Sequence, residues 1–507
     1  MATSIANRVM PSTPIRSLAE YEALGGGAGL RAARAVAVEV VLGELEASGL
    51  RGRGGAGFPT ATKWRTILSY ASDVLRTSVV VNAAEGEPGT FKDRSILRSN
   101  PYAVLEGALI AAAVVDSRSI TVATKDRFTV ETARLRDAIA EMRRAGWCDG
   151  IQIDITAGPS EYLYGEETAL LEVLDGRPPF PRIAPPWRRG VIEVVRTEAD
   201  LHSGSGLAAD VEKAGRTGAS IAPPTLVNNV ETLANVPAII ANGAAWFRSC
   251  GTAESPGTVV CTVTGSVGRP LVIEVELGTP LRSVLDLARG GDDDVDMAPI
   301  VGVLMGVSNV ILTAADLDTP VSYEAMSALG TGLGSASFIV VDDTTDPVAL
   351  AAGVSRFLAV ESCGQCTACK QDGLAIFEGL RSLATGGGTA RDLALIEQRL
   401  GTITDGARCN LARQHQVVVG SILGAFDDGV RVHIHPGATP CTPVLITELV
   451  DLDEGAVTLD EDFLTKRADW THARGVGVPT TSSPIDDPGS SPVDRLTDHR
   501  AGNAADR

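Results

Sequence analysis

Three of the eight cysteines in this 507-residue chain, Cys363, Cys366 and Cys369, stand in the run E-S-C-G-Q-C-T-A-C-K with two residues between each pair. Thiolates this close can take three corners of an iron–sulfur cubane, which is the chemistry that C-x-x-C-x-x-C signals in a reducing compartment. Structural zinc is the competing reading, but it usually shows two separated cysteine pairs or histidines at ligand spacing. A fourth ligand has to come from elsewhere. Cys148, Cys250, Cys261, Cys409 and Cys441 are the candidates. Cys409, in D-G-A-R-C-N-L-A, shares the helical region of the run, and Cys441, in T-P-C-T-P, is its competitor. Cys250 and Cys261 fall in other expected domains and read as ordinary buried thiols.

Four further stretches carry polar chemistry. In G-L-R-G-R-G-G-A-G-F-P-T, Gly49, Gly52, Gly54, Gly55 and Gly57 cluster ahead of K-W-R-T-I-L-S-Y. Glycines let a backbone approach a ligand closely, and a following helix N-terminus attracts phosphate. The Gly52, Gly54, Gly57 spacing fits G-x-G-x-x-G, yet no strand clearly precedes it, so cradle and tight connection are both open. Next, N-A-A-E-G-E-P-G-T-F-K-D-R at 82–94 follows a strand, where open α/β sheets bind ligands. Glu85, Glu87 and Asn82 could hold sugar hydroxyls there, or simply form a solvated turn. In Y-L-Y-G-E-E-T-A-L-L, Glu166 and Glu167 open a helix, and capping competes with binding. The amides of V-N-N-V-E-T at 227–232 suit polar ligand edges.

The elements that must position these loops read as an α/β layer. A helix over 30–49 stopped by Gly49, a buried strand over 78–82, a helix over 101–115, a strand over 119–124, a helix over 129–145 and a strand over 151–156 alternate as in a doubly wound sheet. Residues 185–224 lose periodicity and read as a long loop or insertion. Strands with short turns and a helix at 280–288 make 257–345 a small β-rich α+β unit, and helical patterning over 347–430 surrounds the cysteine run. From about 476 onward the chain is rich in Ser, Pro, Gly and Asp, which predicts a disordered tail.

Composition narrows the function classes. A net charge of −19 argues against nucleic-acid binding, which needs a basic face. The apolar run A-L-I-A-A-A-V-V at 108–115 is far short of the ~20 residues of a spanning helix. No charged start followed by an apolar stretch marks a signal peptide, so a cytoplasmic protein, or one held at the inner membrane face by partners, is expected.

Taken in order, G-R-G-G-A-G-F-P-T with Lys63, N-A-A-E-G-E-P-G-T-F-K-D-R, Y-x-x-G-E-E-T-A-L-L, V-N-N-V-E-T and E-S-C-G-x-C-T-x-C resemble the NADH-binding flavoprotein subunit of respiratory complex I and the related diaphorase subunits of NAD-linked hydrogenases and formate dehydrogenases. The resemblance covers roughly residues 20–440. It implies an NADH:acceptor oxidoreductase with FMN, an NADH site stacked on the flavin and a 4Fe–4S cluster. By motif match, FMN would be held by Gly52, Arg53, Gly54, Gly55, Lys63, Asn82, Glu85, Tyr162, Gly165, Glu166, Asn228, Asn229 and Thr232. NADH would be placed by Phe58, Glu87, Glu167 and Trp187. Cys363, Cys366, Cys369 and Cys409 would ligate the cluster. No catalytic acid or base is implied, since hydride passes directly between nicotinamide and flavin.

The implied fold is an FMN-binding α/β domain over 1–245 with an insertion near 188–222, a ubiquitin-like β-grasp unit over 246–345, a helical cluster domain over 346–435, an extension over 436–475 and the tail over 476–507. The implied partners are other electron-transfer subunits, including a 2Fe–2S protein. Three departures stand out: Ala84 where the family has Asp, Ala184 where a Lys often precedes the P-P pair, and G-S-A-S at 334–337 in place of a glycine-richer run. They leave a second reading, a flavin-poor relay or scaffold subunit that keeps the cluster without oxidising NADH.

Overall fold

A computed structural model describes residues 5–71, 75–183, 193–194, 210–211, 224–290, 297–435, 437–469 and 480–481. Trp187, Ala184 and nearly all of the expected insertion and tail lie outside the described residues.

The β-branched run S-V-V-V-N-A forms the strand Ser78–Ala83, buried on both faces as a central parallel strand must be. It pairs in parallel with Ser119–Lys125 on one side and Thr225–Asn229 on the other, and Gln152–Gly158 adds outside Ser119–Lys125. In chain order the parallel sheet therefore runs third, second, first, fourth. Thr480–Thr481 pairs antiparallel on the outer edge. The helices Pro101–Val114 and Thr129–Arg144 make the crossovers. Asn100 caps the first by accepting from Ala103 N, with Pro101 at its first position. The expected helix over 30–49 is two helices, Ala28–Ala35 and Val38–Ser48, because Val36 and Ala37 are extended. Each then buries its own apolar residues: Leu30 and Ala33 in one, Val41, Leu42 and Leu45 in the other. The second stops at Gly49 with φ +72, as a left-handed cap requires.

The second sheet carries the β-grasp signature. Thr258–Gly265 pairs antiparallel with Leu271–Glu276 and parallel with Ser337–Asp342, while Ile300–Leu304 and Leu312–Thr313 continue beyond the latter. Leu281–Arg289 packs Leu281, Val284, Leu285 and Ala288 into its core.

Four long helices follow, Pro347–Glu361, Thr367–Ala384, Ala390–Thr402 and Leu411–Ala425, with the short helix Asp427–Arg431 after them. The chain then folds back. A hairpin of Leu449–Asp453 and Ala456–Leu459 docks on the α/β sheet through Arg94 Nη1 to Leu449 O (2.6 Å), Arg98 to Asp451 (2.8 Å) and Lys125 to Glu448 (2.7 Å).

Candidate functional site

Asn82, on the first strand, is in register with Asn229, on the fourth. In a sheet of this order the crossovers diverge between those two strands, leaving a crevice outside their carboxyl ends where ligands bind. The glycine loop closes one side of it. Gly52 N donates to Phe58 O (2.8 Å), and Arg53 N donates to Thr232 Oγ1 (2.8 Å). A Cβ on Gly54 would come 3.2 Å from the Asn229 side chain. Gly55 has φ +118 and nothing within 4 Å of where a Cβ would sit, so the loop is left-handed at the point where it opens.

The facing wall is the turn Tyr162–Gly165 and the helix Glu167–Leu174. Asn82 Nδ2 donates to Gly165 O at 2.9 Å, and a Cβ on Gly165 would meet Ala84 O at 2.9 Å, so glycine lets the two loops touch. Glu166 caps the helix, accepting from Thr168 N (3.0 Å), Ala169 N (2.8 Å) and Thr168 Oγ1 (2.6 Å). Burial pushes its carboxyl up from the usual range. Glu167 instead reaches across the crevice to Lys63 Nζ at 2.7 Å. Phe58, half exposed, stands at the end of the glycine loop.

Several residues with expected ligand roles are committed to one another. Glu85 accepts from Arg94 Nε (3.0 Å), Asp93 N (2.9 Å) and Thr90 Oγ1 (3.3 Å). Asn228 Oδ1 accepts from Trp64 Nε1 (2.8 Å), and Asn229 Nδ2 donates to Asp93 Oδ2 (2.7 Å). The Arg53 guanidinium donates to Tyr323 OH and Thr258 O, both at 3.0 Å, which ties the glycine loop to the β-grasp unit. Glu87 is also turned inward: it accepts from Tyr162 OH (2.6 Å), Val307 N (2.8 Å) and the Ser308 hydroxyl. Its pKa is raised by burial, against which those three donors act.

Beneath the crevice Lys92 lies 2.7 Å from Asp93 and 2.9 Å from Glu231. Burial alone would neutralise Lys92, but the carboxylates of Asp93, Glu231 and Glu85 outweigh it and hold the ammonium charged. Sequence reasoning left Lys92, Asp93, Glu231 and Ser308 without roles. The signal was the K-D-R at the end of the acidic loop, three adjacent charges that turn out to be buried.

The thiols form the second centre. Cys363, Cys366, Cys369 and Cys409 line one small cavity, together with Leu163, Pro181 and Leu411. Gly364, with φ +81, makes the turn between the first two cysteines, and Cys366 opens the helix Thr367–Ala384. Backbone N–H groups of Arg408 and Leu411 serve Cys366 and Cys409, and Gln365 Nε2 lies 3.4 Å from Cys363 Sγ. Burial pushes the Cys369 and Cys409 thiols up to about 12, while the charges of Lys370 beside Cys369 and Arg408 beside Cys366 act in the opposite direction. Among the described residues no three of these sulfurs lie within 4.8 Å of one another, whereas one tetrahedral zinc would bring them to about 3.8 Å. The wider spacing and the N–H groups aimed at sulfur fit a polynuclear cluster. Cys441 does not line this cavity, and Cys148, Cys250 and Cys261 lie apart from it as free thiols.

The two centres share one turn. Leu163 lines the thiol cavity, while Gly165 two residues later bonds Asn82 in the crevice, and the Glu166 charge helps raise the Cys409 thiol. A flavin-type crevice so close to a cluster cavity defines a cofactor-relay oxidoreductase as the class. Family models agree along the chain: the Nuo51 FMN-binding domain matches residues 45–238, the SLBB domain 260–307, and the NADH-ubiquinone oxidoreductase-F iron–sulfur binding region 349–433. The chain is 34% identical over 446 residues to the F-type subunit of NADH-quinone oxidoreductase from Streptomyces coelicolor, covering 86% of this chain and 92% of that protein. It is 32% identical to the NADP-reducing hydrogenase subunit HndC of Solidesulfovibrio fructosivorans, covering 86% and 84%. An NAD+-reducing [NiFe]-hydrogenase crystal structure superposes with a TM-score of 0.69 at 29% identity, over 86% of this chain and 69% of that one. The chain belongs to the family of F-type (51 kDa) subunits of NADH–quinone oxidoreductases and their hydrogenase relatives, whose FMN-binding and 4Fe–4S-binding regions it carries. Among the described residues no helix is long and apolar enough to cross a membrane.

Proposed function

We propose that this chain is the electron-input subunit of a larger redox complex, oxidising NADH in the crevice and delivering electrons singly through the thiol cavity. The observation that carries the reading is the Tyr162–Gly165 turn, which forms the wall of both centres. FMN, when bound, supplies what no side chain here can: it takes two electrons as a hydride and releases them one at a time.

The chain's own residues do the placing. The Gly52–Gly55 loop and the Asn82, Asn228 and Asn229 strand ends line the flavin side of the crevice, and Lys63 offers a cation there. Glu166 fixes the helix start and so the position of Glu167. By the family pattern, Phe58, Glu87, Glu167 and Trp187 receive the nicotinamide nucleotide. No side chain need move a proton, so orientation and exclusion of water are the protein's contribution. Cys363, Cys366, Cys369 and Cys409 hold the 4Fe–4S cluster. Its electrons leave to partner subunits, one of them of the 2Fe–2S class, on a complex at the cytoplasmic side of a membrane or free in the cytoplasm.

Anaerobic purification with FMN and iron counted per chain, then assay of NADH and NADPH against ferricyanide, tests this. The expected result is FMN and iron in a ratio of about one to four, with NADH-driven reduction. A cluster-bearing, flavin-free chain inert to both nucleotides would leave the relay reading in its place.

A further inference from the structure

Cys441, passed over by the cluster cavity, has other company. Among the described residues one group of metal-type ligands gathers tightly: Asp346, His433 and Cys441 each offer a ligand atom within 4.8 Å of the others. His433 Nε2 lies 2.7 Å from Asp346 Oδ2, and Cys441 Sγ lies 3.3 Å from Asp346 Oδ1. The three come from separate segments: the start of the helix Pro347–Glu361, the end of the bundle, and the extension beyond it.

We infer that Asp346, His433 and Cys441 form a mononuclear zinc site that pins the C-terminal extension to the helix leading into the cysteine run. The donor set is one carboxylate, one imidazole and one thiolate. Sulfur and imidazole select a borderline cation over magnesium or calcium, which prefer oxygen cages. Three protein ligands leave the fourth tetrahedral position to water, the open arrangement otherwise found in catalytic zinc sites. On binding, Cys441 gives up its thiol proton to solvent. Thiolate and carboxylate then balance the dication, so a half-buried site carries no net charge.

The surroundings are built for fixed ligands. Asp346 Oδ1 accepts from Val348 N (2.9 Å) and Ala349 N (3.0 Å), which holds the carboxylate in one orientation, as outer-shell bonds hold metal ligands. His433 is 3% exposed, with Nε2 facing Asp346, so it is this nitrogen that would turn its lone pair to a cation while Nδ1 carries the ring proton. Cys441 is held by its own N–H to Ala384 O (2.8 Å), and three residues on Val444 N donates to Ala349 O (3.0 Å). A Cβ on Gly353 would come 2.1 Å from Val444 O, so the extension lies directly on the helix that Asp346 caps. The Asp346 side chain is 31% exposed, which leaves a way in for the ion and for a water ligand.

The full chain, purified anaerobically and desalted, is measured for zinc and iron by mass spectrometry and for zinc coordination by X-ray absorption. The expected result is about one zinc per chain beside the cluster iron, with a single sulfur and otherwise nitrogen and oxygen around it. Cys441→Ser and His433→Gln should each lower zinc affinity at least tenfold while the iron content and the cluster's EPR signal persist. Cys441→Ser keeps a small polar side chain on a half-buried position, so it remains readable if His433→Gln fails to fold. The assignment is overturned by a chain that takes up no zinc from excess, by zinc with three or four sulfurs (which would place it in the cluster cavity), by zinc unchanged in Cys441→Ser, or by another first-row metal in its place. The first three of these would leave Cys441 as a thiol donor to Asp346.

Discussion

Lys63 Nζ and Glu167 Oε1 meet at 2.7 Å, the one ion pair among the described residues that spans the crevice from the glycine-loop helix to the facing helix. Both side chains keep solvent contact, at 23% and 30% exposure, so the pair contributes only about 0.5 kcal/mol to folding. In the function proposed above, its larger role would be to hold a cation where an anionic cofactor enters. Lys63→Ala should leave the melting temperature of the flavin-free chain nearly unchanged. It should weaken FMN binding about 10- to 100-fold, as loss of one charged hydrogen bond implies. Fluorescence titration of the deflavinated chain measures this, and an unchanged dissociation constant would remove Lys63 from the flavin site.

Glu85 makes the opposite case. The acidic loop places it beside residues expected to touch flavin, but its carboxylate satisfies Arg94, and both are buried. Removing one partner of a buried pair leaves the other uncompensated and costs about 3–5 kcal/mol. Glu85→Ala should therefore lower the melting temperature sharply, while the folded fraction retains FMN at the wild-type ratio. Flavin loss without loss of stability would show that Glu85 is a ligand after all.

This contrast marks how far the sequence could be read. The alternating strands, the glycine loop and the C-x-x-C-x-x-C run were legible because backbone period, positive φ and thiol spacing are local properties. The break at Val36–Ala37 was not, since apolar residues at helical spacing continue across it and only packing decides that two helices are needed. Nor could spacing say which way a carboxylate faces. Glu166 and Glu167 are neighbours of one type, yet one caps its own helix and the other crosses the crevice. Ala84 stands where the family has Asp. It is buried among Val80, Ala123, Tyr164 and Leu170, so its side chain belongs to an apolar cluster.

His415 gives a pH dependence. It is fully buried in the bundle, with Ser355 Oγ 2.8 Å from Nε2, and burial lowers its pKa to about 3. The folded chain thus keeps the ring neutral while the unfolded chain takes a proton below about pH 6.5. A group depressed in this way contributes stability above the unfolded pKa, and that contribution is lost as pH falls toward the folded value. Between pH 7.5 and 5 the loss is on the order of 2 kcal/mol. Thermal melts of wild type should fall across that interval, and those of His415→Gln should fall less. Parallel slopes would mean that His415 is charged or exposed in the folded chain.

Cys409 and Cys441 were the competing fourth ligands, and the structure separates them by placing Cys409 in the cavity with Cys363, Cys366 and Cys369 and Cys441 beside Asp346 and His433. Cys409→Ala removes one corner from a cavity whose other buried groups cannot replace a thiolate, so iron content and the reduced-cluster EPR signal should both be lost. FMN should remain bound, because the glycine loop and strand ends that line the crevice belong to other segments. Flavin reduction by NADH should then persist under anaerobic conditions while delivery to a one-electron protein acceptor stops. Cys441→Ala should leave iron, EPR signal and both activities intact. The reverse pattern, with the signal surviving in Cys409→Ala and vanishing in Cys441→Ala, would require the extension to reach the cavity in the assembled protein and would transfer the fourth corner to Cys441.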